Sequence, residues 1–190
     1  MPLTPALLDR FWSNTSPEEG LIPFMYLDSL KSLVTAGPGI MLPSAAAAQA
    51  LTWDKPSPVV TADFARVRAQ APNDRGWAAQ HYAQFSSCRL APAFMRQAFD
   101  TRCRTICHVL EGYFPDLYDY PEGALVAMVD LAYNVGVGAL CTGWPGFKSA
   151  VRARDWARAA KESHRGPPVS AARNARTAAL LLSALPRASD

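Results

Sequence analysis

Little of this sequence is charged, and no stretch of it is apolar for long without interruption. Asp, Glu, Lys and Arg make up 18% of the chain against 49% apolar residues, proportions that belong to globular proteins with a buried core and exclude disordered and collagen-like chains. The most apolar stretch, residues 124–139, is broken by Asp130, Asn134, Gly136 and Gly138. It falls short of the roughly 20 apolar residues that span a bilayer, so it reads as a core helix and no stable membrane insertion is expected. Residues 1–14 carry Asp9 and no apolar run followed by a small-residue cleavage site, so no secretory signal is read there. Cysteine is scarce as well: Cys88, Cys103, Cys107 and Cys141 are too few for a disulfide framework in a chain of this length. Cys103 and Cys107 lie four apart on a predicted helix and could be combined with Cys88 or His108 into a zinc site, but the spacing fits no common zinc pattern. Cys103 shares a stripe with Met95, Phe99, Ile106 and Leu110, which makes these thiols small buried hydrophobes. Neither a metal nor an organic cofactor is expected.

What is present is an ordinary globular composition with a mild excess of positive charge. The 19 Lys and Arg exceed the 16 Asp and Glu, for a formal charge of +3. That is a weak lean toward anionic partners and does not point to nucleic acid. At 190 residues the chain fits one domain, or two lobes sharing a core. Apart from the alanines at 45–48 there is no low-complexity run, and there is no internal repeat.

Along the chain, Leu7, Leu8, Phe11 and Trp12 predict an opening helix, and Ser16 followed by Pro17 predicts a second helical start. Between Phe24 and Leu42 the pattern changes. Leu33, Val34 and Thr35 favour a strand while Gly37, Pro38 and Gly39 force turns, giving a small β-hairpin region. Ser44 caps a predicted helix over 45–51. Residues 52–58 read as a linker, and Thr61 caps a helix toward Gln70. Residues 71–90 read as loop with scattered aromatics. Strong helical signals follow over 91–110 and from Pro121 through Val135, where Ala124, Leu125, Met128, Leu131, Ala132 and Val135 recur at helical spacing. Gly136 and Gly138 end that helix, Trp144-Pro145-Gly146 turns the chain, and short helices are expected over 147–151 and 153–163. A last helix, over about 171–185, follows the break at Gly166-Pro167-Pro168. The expected fold is α+β and predominantly helical, one domain over 1–190 with a β-containing lobe over approximately 15–60 and a helical lobe over 61–190 that packs with the N-terminal helix.

One short segment concentrates groups suited to acid–base chemistry. Glu19-Gly20 precedes Tyr26, Asp28 and Thr35, so a hairpin could bring a carboxylic acid, a carboxylate and a hydroxyl together. Cleavage of a glycosidic bond needs such a set: an acid for the leaving oxygen, and a second polar group opposite it for water or for developing positive charge. Taken bare, the same residues also suit a surface turn and strand.

The string Glu19-Gly20-Leu21, Tyr26-Leu27-Asp28 and Val34-Thr35-Ala36-Gly37-Pro38-Gly39 resembles the active-site segment of the phage-type, T4 lysozyme-like muramidases. Their pattern runs Glu-Gly, Tyr-x-Asp, Thr-x-Gly-x-Gly. Residues 124–134 followed by Val135-Gly136-Val137-Gly138-Ala139 are similar to the central helix of those enzymes. Asp155-Trp156, Ala159-Ala160, Ser163 and Arg165, then Arg173-Asn174 and Arg176, are similar to their C-terminal stretch. Three matches in the family's order cover about two-thirds of the chain; residues 52–120 are largely unmatched. The sequence departs from the pattern in one extra residue between Asp28 and Thr35, in Pro38, in Ile40 where the phage enzymes commonly have His, and in Pro17 just before Glu19. These departures resemble a diverged branch such as secreted antibacterial effectors.

The resemblance implies a lysozyme-like fold and a muramidase that hydrolyses the β-1,4 bond between N-acetylmuramic acid and N-acetylglucosamine in peptidoglycan glycan strands. It implies Glu19 as general acid, with Glu18 its competitor, and Asp28 with Thr35 holding the attacking water. It further implies Tyr26, Gly37, Asn134, Arg165 and Arg173 as substrate-binding residues. Arg165 and Arg173 suit either carboxylates of the glycan or an anchoring network. A protein of this kind is made in the bacterial cytoplasm and acts in the periplasm or cell wall after delivery by a secretion system or a phage holin, and an effector would meet a cognate immunity protein. The alternative is a glycan-binding or structural module of a secretion or phage particle that keeps the lysozyme shape without catalysis.

Overall fold

The computed structural model describes residues 3–28, 32–70 and 78–186. It divides the chain into two units, one formed by Met1–Glu18 with Asp100–Asp190 and the other by Glu19–Phe99. The architecture is α+β, predominantly helical, with a small antiparallel sheet.

The unit Glu19–Phe99 is built on three strands, β1 (Ile22–Asp28), β2 (Leu33–Gly37) and β3 (Ile40–Leu42), in the order β1-β2-β3. The expected hairpin has thus gained a third, edge strand. Leu27, Val34, Ala36 and Leu42 share the face that lies on the core, and Thr35, between Val34 and Ala36, is buried as well. Packed with them are Val60, Phe64 and Val67 of a helix at Ser57–Arg68, and Tyr82 of a 3₁₀ segment at Ala79–Gln84 within the stretch read as loop. Residues 71–77 of that stretch lie outside the described residues. A short helix, α2 (Ala45–Gln49), precedes the Ser57–Arg68 helix, α3, and is capped as expected by Ser44, whose Oγ accepts from the Ala47 amide at 3.2 Å.

The start of α3 differs from expectation. Pro56 occupies the cap and Pro58 the first turn, where a missing N–H costs nothing. Thr61, expected at the cap, is one turn inside, and its hydroxyl donates back to the Ser57 carbonyl at 3.0 Å. Likewise Ser16 does not start a second helix. Its amide donates to the Trp12 carbonyl at 2.9 Å and closes α1 (Pro5–Thr15), and residues 16–20 form turns.

A buried carboxylate ties α3 to the chain that follows the 3₁₀ segment. Asp63 is fully buried and accepts from the Cys88 amide at 2.8 Å, the Ser87 amide at 2.5 Å and the Ser87 hydroxyl at 3.1 Å; Arg66 also donates to it. Burial alone would raise this carboxyl. The hydrogen bonds from Cys88 and Ser87 outweigh it and hold the pKa below the ordinary aspartate value.

The other unit holds α1, most of the long helix α4 (Pro92–Tyr113), then α5 (Glu122–Val135), α6 (Val137–Gly143), α7 (Pro145–Arg152), α8 (Trp156–Glu162) and α9 (Ala171–Leu182). At its centre is α5, buried at every position from Ala124 to Tyr133, so the apolar run is a core helix as read. No single helix among the described residues is long and apolar enough to cross a membrane; α5 and α6 meet at a 104° bend. The bend falls at Gly136, where the chain was expected to leave helix; it re-enters helix at once as α6. Gly123 lets α5 approach α9 closely, since a Cβ there would meet the Leu180 carbonyl oxygen at 2.6 Å. Asp155 and Ser170 cap α8 and α9, accepting from the Arg158 and Arg173 amides. With Asp155 as its cap, α8 starts later than the residue 153 expected.

Asp63→Asn is expected to destabilise the protein at neutral pH by about 1–3 kcal/mol, because the amide leaves buried donors poorly matched. The folded carboxyl ionises below its ordinary value, so its contribution is complete above the unfolded pKa and is lost as pH falls through the folded one. Urea titrations of both proteins should therefore show a gap that closes in acid. A gap independent of pH would show that ionisation of Asp63 is not what matters.

Candidate functional site

The strand register decides which side chains of the candidate segment share a face. Tyr26 pairs with Thr35, Leu27 with Val34 and Asp28 with Leu33 across β1 and β2; Thr35 in turn pairs with Met41 on β3. Directly opposed residues project to the same side of a sheet, and side chains two apart along a strand return to it. Tyr26, Asp28, Thr35 and Met41 therefore lie on one face, while Leu27, Val34, Ala36 and Leu42 occupy the core face. Asp28 and Thr35 are diagonal neighbours, a relation that sets positions roughly 7–8 Å apart. Thr35 is only 2% exposed, and its Oγ1 donates to the Leu33 carbonyl at 3.2 Å. Tyr26 and Asp28 are half-buried.

Glu19 is half-buried in the turn before β1, in the same unit as Asp28 and Thr35. Its neighbour Glu18, the competing acid, is engaged elsewhere: Arg176 of α9 donates to its carboxylate. Gly37 ends β2 in the left-handed region at φ +57°, and a Cβ there would meet Leu90 Cδ1 at 3.1 Å. These two constraints account for its glycine without a ligand.

The remaining predicted site residues belong to the helical unit. Asn134 is half-buried near the end of α5. The carbonyl just before it, that of Tyr133, accepts from Arg102 at 3.1 Å, and the Arg102 guanidinium lies 4.0 Å from the Tyr133 ring centroid. Arg165 and Arg173 both converge on Asp130, a carboxylate in the middle of the apolar α5. Arg165 Nη1 donates to Oδ2 at 3.0 Å and Arg173 Nη2 to Oδ1 at 2.8 Å. Thr177 Oγ1 accepts from Arg165 at 2.6 Å, and the Asn174 side chain accepts from the Arg165 amide and donates to its carbonyl. With their side chains 2% and 6% exposed, the two arginines present almost no surface to a ligand. Of the two roles open to them in the sequence, this geometry fits the anchoring network.

Sequence reasoning had treated Asp130 only as an interruption of an apolar run. The signal it missed was the mismatch itself. A carboxylate on a fully buried helix needs cations, and the surplus arginines of residues 165–176 are the ones that reach it. Asp63 carried no comparable signal.

Among the described residues no three His, Cys, Asp or Glu side chains come together as a metal site. The four cysteines are buried and in no disulfide, whereas His108 is exposed and 4.0 Å from Glu111.

Asp130→Asn leaves two buried guanidinium groups without their counter-ion and is expected to cost about 3–5 kcal/mol of unfolding free energy. Chemical denaturation measures it; a loss under about 1 kcal/mol would mean that the arginines find other partners and that the network is not a frame.

No protein-family model matches the chain, and no match was found among curated proteins.

Proposed function

We propose that this protein is a lysozyme-like muramidase that hydrolyses the β-1,4 bond between N-acetylmuramic acid and N-acetylglucosamine in peptidoglycan. The observation that carries the reading is the cross-strand register that aligns Tyr26, Asp28 and Thr35 on one sheet face, with Glu19 in the turn leading into that sheet. The sequence resemblance to phage-type lysozymes rests on the same residues. Glu19 is preferred to Glu18 as the acid because it directly precedes Gly20, as the glutamate precedes the glycine in the phage-type pattern.

In this mechanism Glu19 donates its proton to the glycosidic oxygen as the bond to the sugar carbon breaks. Asp28, with the buried Thr35 hydroxyl beside it on the sheet, holds a water against the opposite face of the ring. Asp28 accepts a proton from that water as its oxygen attacks, which inverts the anomeric centre. Tyr26 offers an aromatic body and a hydroxyl to a sugar's mixed surface. Arg165 and Arg173 act through the fold and not through the glycan, and the chemistry as written calls on no cofactor. Delivery to the cell wall, as an injected effector opposed by an immunity protein or as a phage lysis enzyme, follows from the resemblance alone.

Digestion of purified peptidoglycan, with fragments weighed by mass spectrometry, tests the reading. Wild type is expected to release reducing-end disaccharide-peptides. Glu19→Gln should lose roughly 10²–10⁴-fold in rate, whereas Glu18→Gln, which removes only an ion pair with both partners partly exposed, should stay within about tenfold of wild type. Anhydro ends in the products would change the assignment to a lytic transglycosylase. Binding without cleavage by wild type would replace it with the glycan-binding module.

A further inference from the structure

Sulfur is distributed unevenly between the surface and the interior of this protein. Among the described residues, Met25 and Met128 have no exposed surface and Met95 is 8% exposed, and all four cysteines are buried. Met41 is 50% exposed. The thiols are also chemically quiet: burial pushes Cys88 and Cys107 up to about 12, aided at Cys88 by a hydrogen bond with Asp63, and burial raises Cys141 too. Since oxidants attack thiolates and accessible thioethers, the described cysteines and the three buried methionines are all protected. That leaves one described sulfur open to an oxidant, and its position in the fold is specific. Met41 is the central residue of the edge strand β3 and pairs with Thr35, which pairs with Tyr26. The row Tyr26–Thr35–Met41 crosses the sheet on the face that also carries Asp28, and Met41 is its exposed end.

We propose that Met41 is an oxidation site that regulates the glycan-binding face of this protein. Hydrogen peroxide transfers one oxygen to the Met41 thioether: the O–O bond breaks, an S–O bond forms, sulfur is oxidised, the peroxide is reduced and water leaves. The apolar edge of the sheet becomes a polar, chiral sulfoxide, which no longer packs against the apolar side of a sugar held at the half-buried Tyr26 of the same face. Methionine sulfoxide reductases, which act on each sulfoxide epimer, reverse the step. This inference rests on the muramidase reading for its functional consequence; the selectivity of the modification stands on burial alone.

The experiment treats the folded full-length protein with hydrogen peroxide and maps oxygen addition by peptide mass spectrometry. Digestion of peptidoglycan and co-sedimentation with it are measured before and after treatment. The expected result is a sulfoxide at Met41 with Met25, Met95, Met128 and the cysteines unmodified, and a loss of about tenfold or more in digestion and binding, the scale of one lost apolar contact in a specific site. Sulfoxide reductases should restore both. Met41→Leu, whatever its own starting rate, should keep that rate through peroxide. Oxidation of a buried sulfur ahead of Met41 would overturn the site. Oxidised Met41 with unchanged digestion and binding, or a Met41→Leu protein as sensitive as wild type, would overturn the regulation. Untreated protein that neither cuts nor binds peptidoglycan would overturn the muramidase reading itself, and the regulation with it, while leaving the mapped oxidation as measured.

Discussion

The candidate site depends on a two-residue period. Side chains of a strand alternate between faces, so the pairing of Tyr26 with Thr35 and of Leu27 with Val34 divides the segment into a polar row and a core row. Slipping either strand by one residue would turn Asp28 and Thr35 onto the core face and carry Leu27 and Val34 off it. Val34, Ala36 and Leu42 are buried to within 1%, and the free energy of that burial holds the polar row in place. The chemistry proposed for Asp28 and Thr35 is thus supported from the opposite face, by α3 and the 3₁₀ segment packed beneath the sheet.

Each unit also encloses a carboxylate, and the two are handled differently. Asp63 is satisfied chiefly by backbone and hydroxyl donors from Ser87 and Cys88, a local arrangement that fastens one helix to one loop. Asp130 is satisfied by two guanidinium groups brought from 35 and 43 residues away. Charges in such a setting are costly to leave unpaired, so the helix α5, the turn that carries Arg165 and the helix α9 are held to one mutual geometry. Glu18 meets Arg176 on that same α9.

Much of the local structure was legible in the sequence because its causes are local. Ser44 caps α2, Pro121 precedes α5, and the apolar period of 124–135 belongs to the central helix. The errors came where two local signals competed. Thr61 is a good cap, but the prolines at 56 and 58 favour a start one turn earlier. Ser16 suits a helix start, yet the end of α1 takes its amide first. The segment around Ala79–Gln84 has no helical periodicity long enough to detect, and it is ordered by placing Tyr82 in the core under the sheet.

By itself the sequence determined the class of the fold, the order of most of its elements and the segment in which acid, carboxylate and hydroxyl are concentrated, because caps, turns and periodicity act between residues a few positions apart. Only the tertiary structure decided that Thr35 stands opposite Tyr26 and Met41. It alone showed that Arg165 and Arg173 close on Asp130, that Glu18 is occupied by Arg176, and that seven of the eight described sulfur atoms are shut away. Those facts depend on pairings across tens to more than a hundred residues, and such pairings are selected by burial and charge satisfaction in the packed chain, which no local pattern encodes.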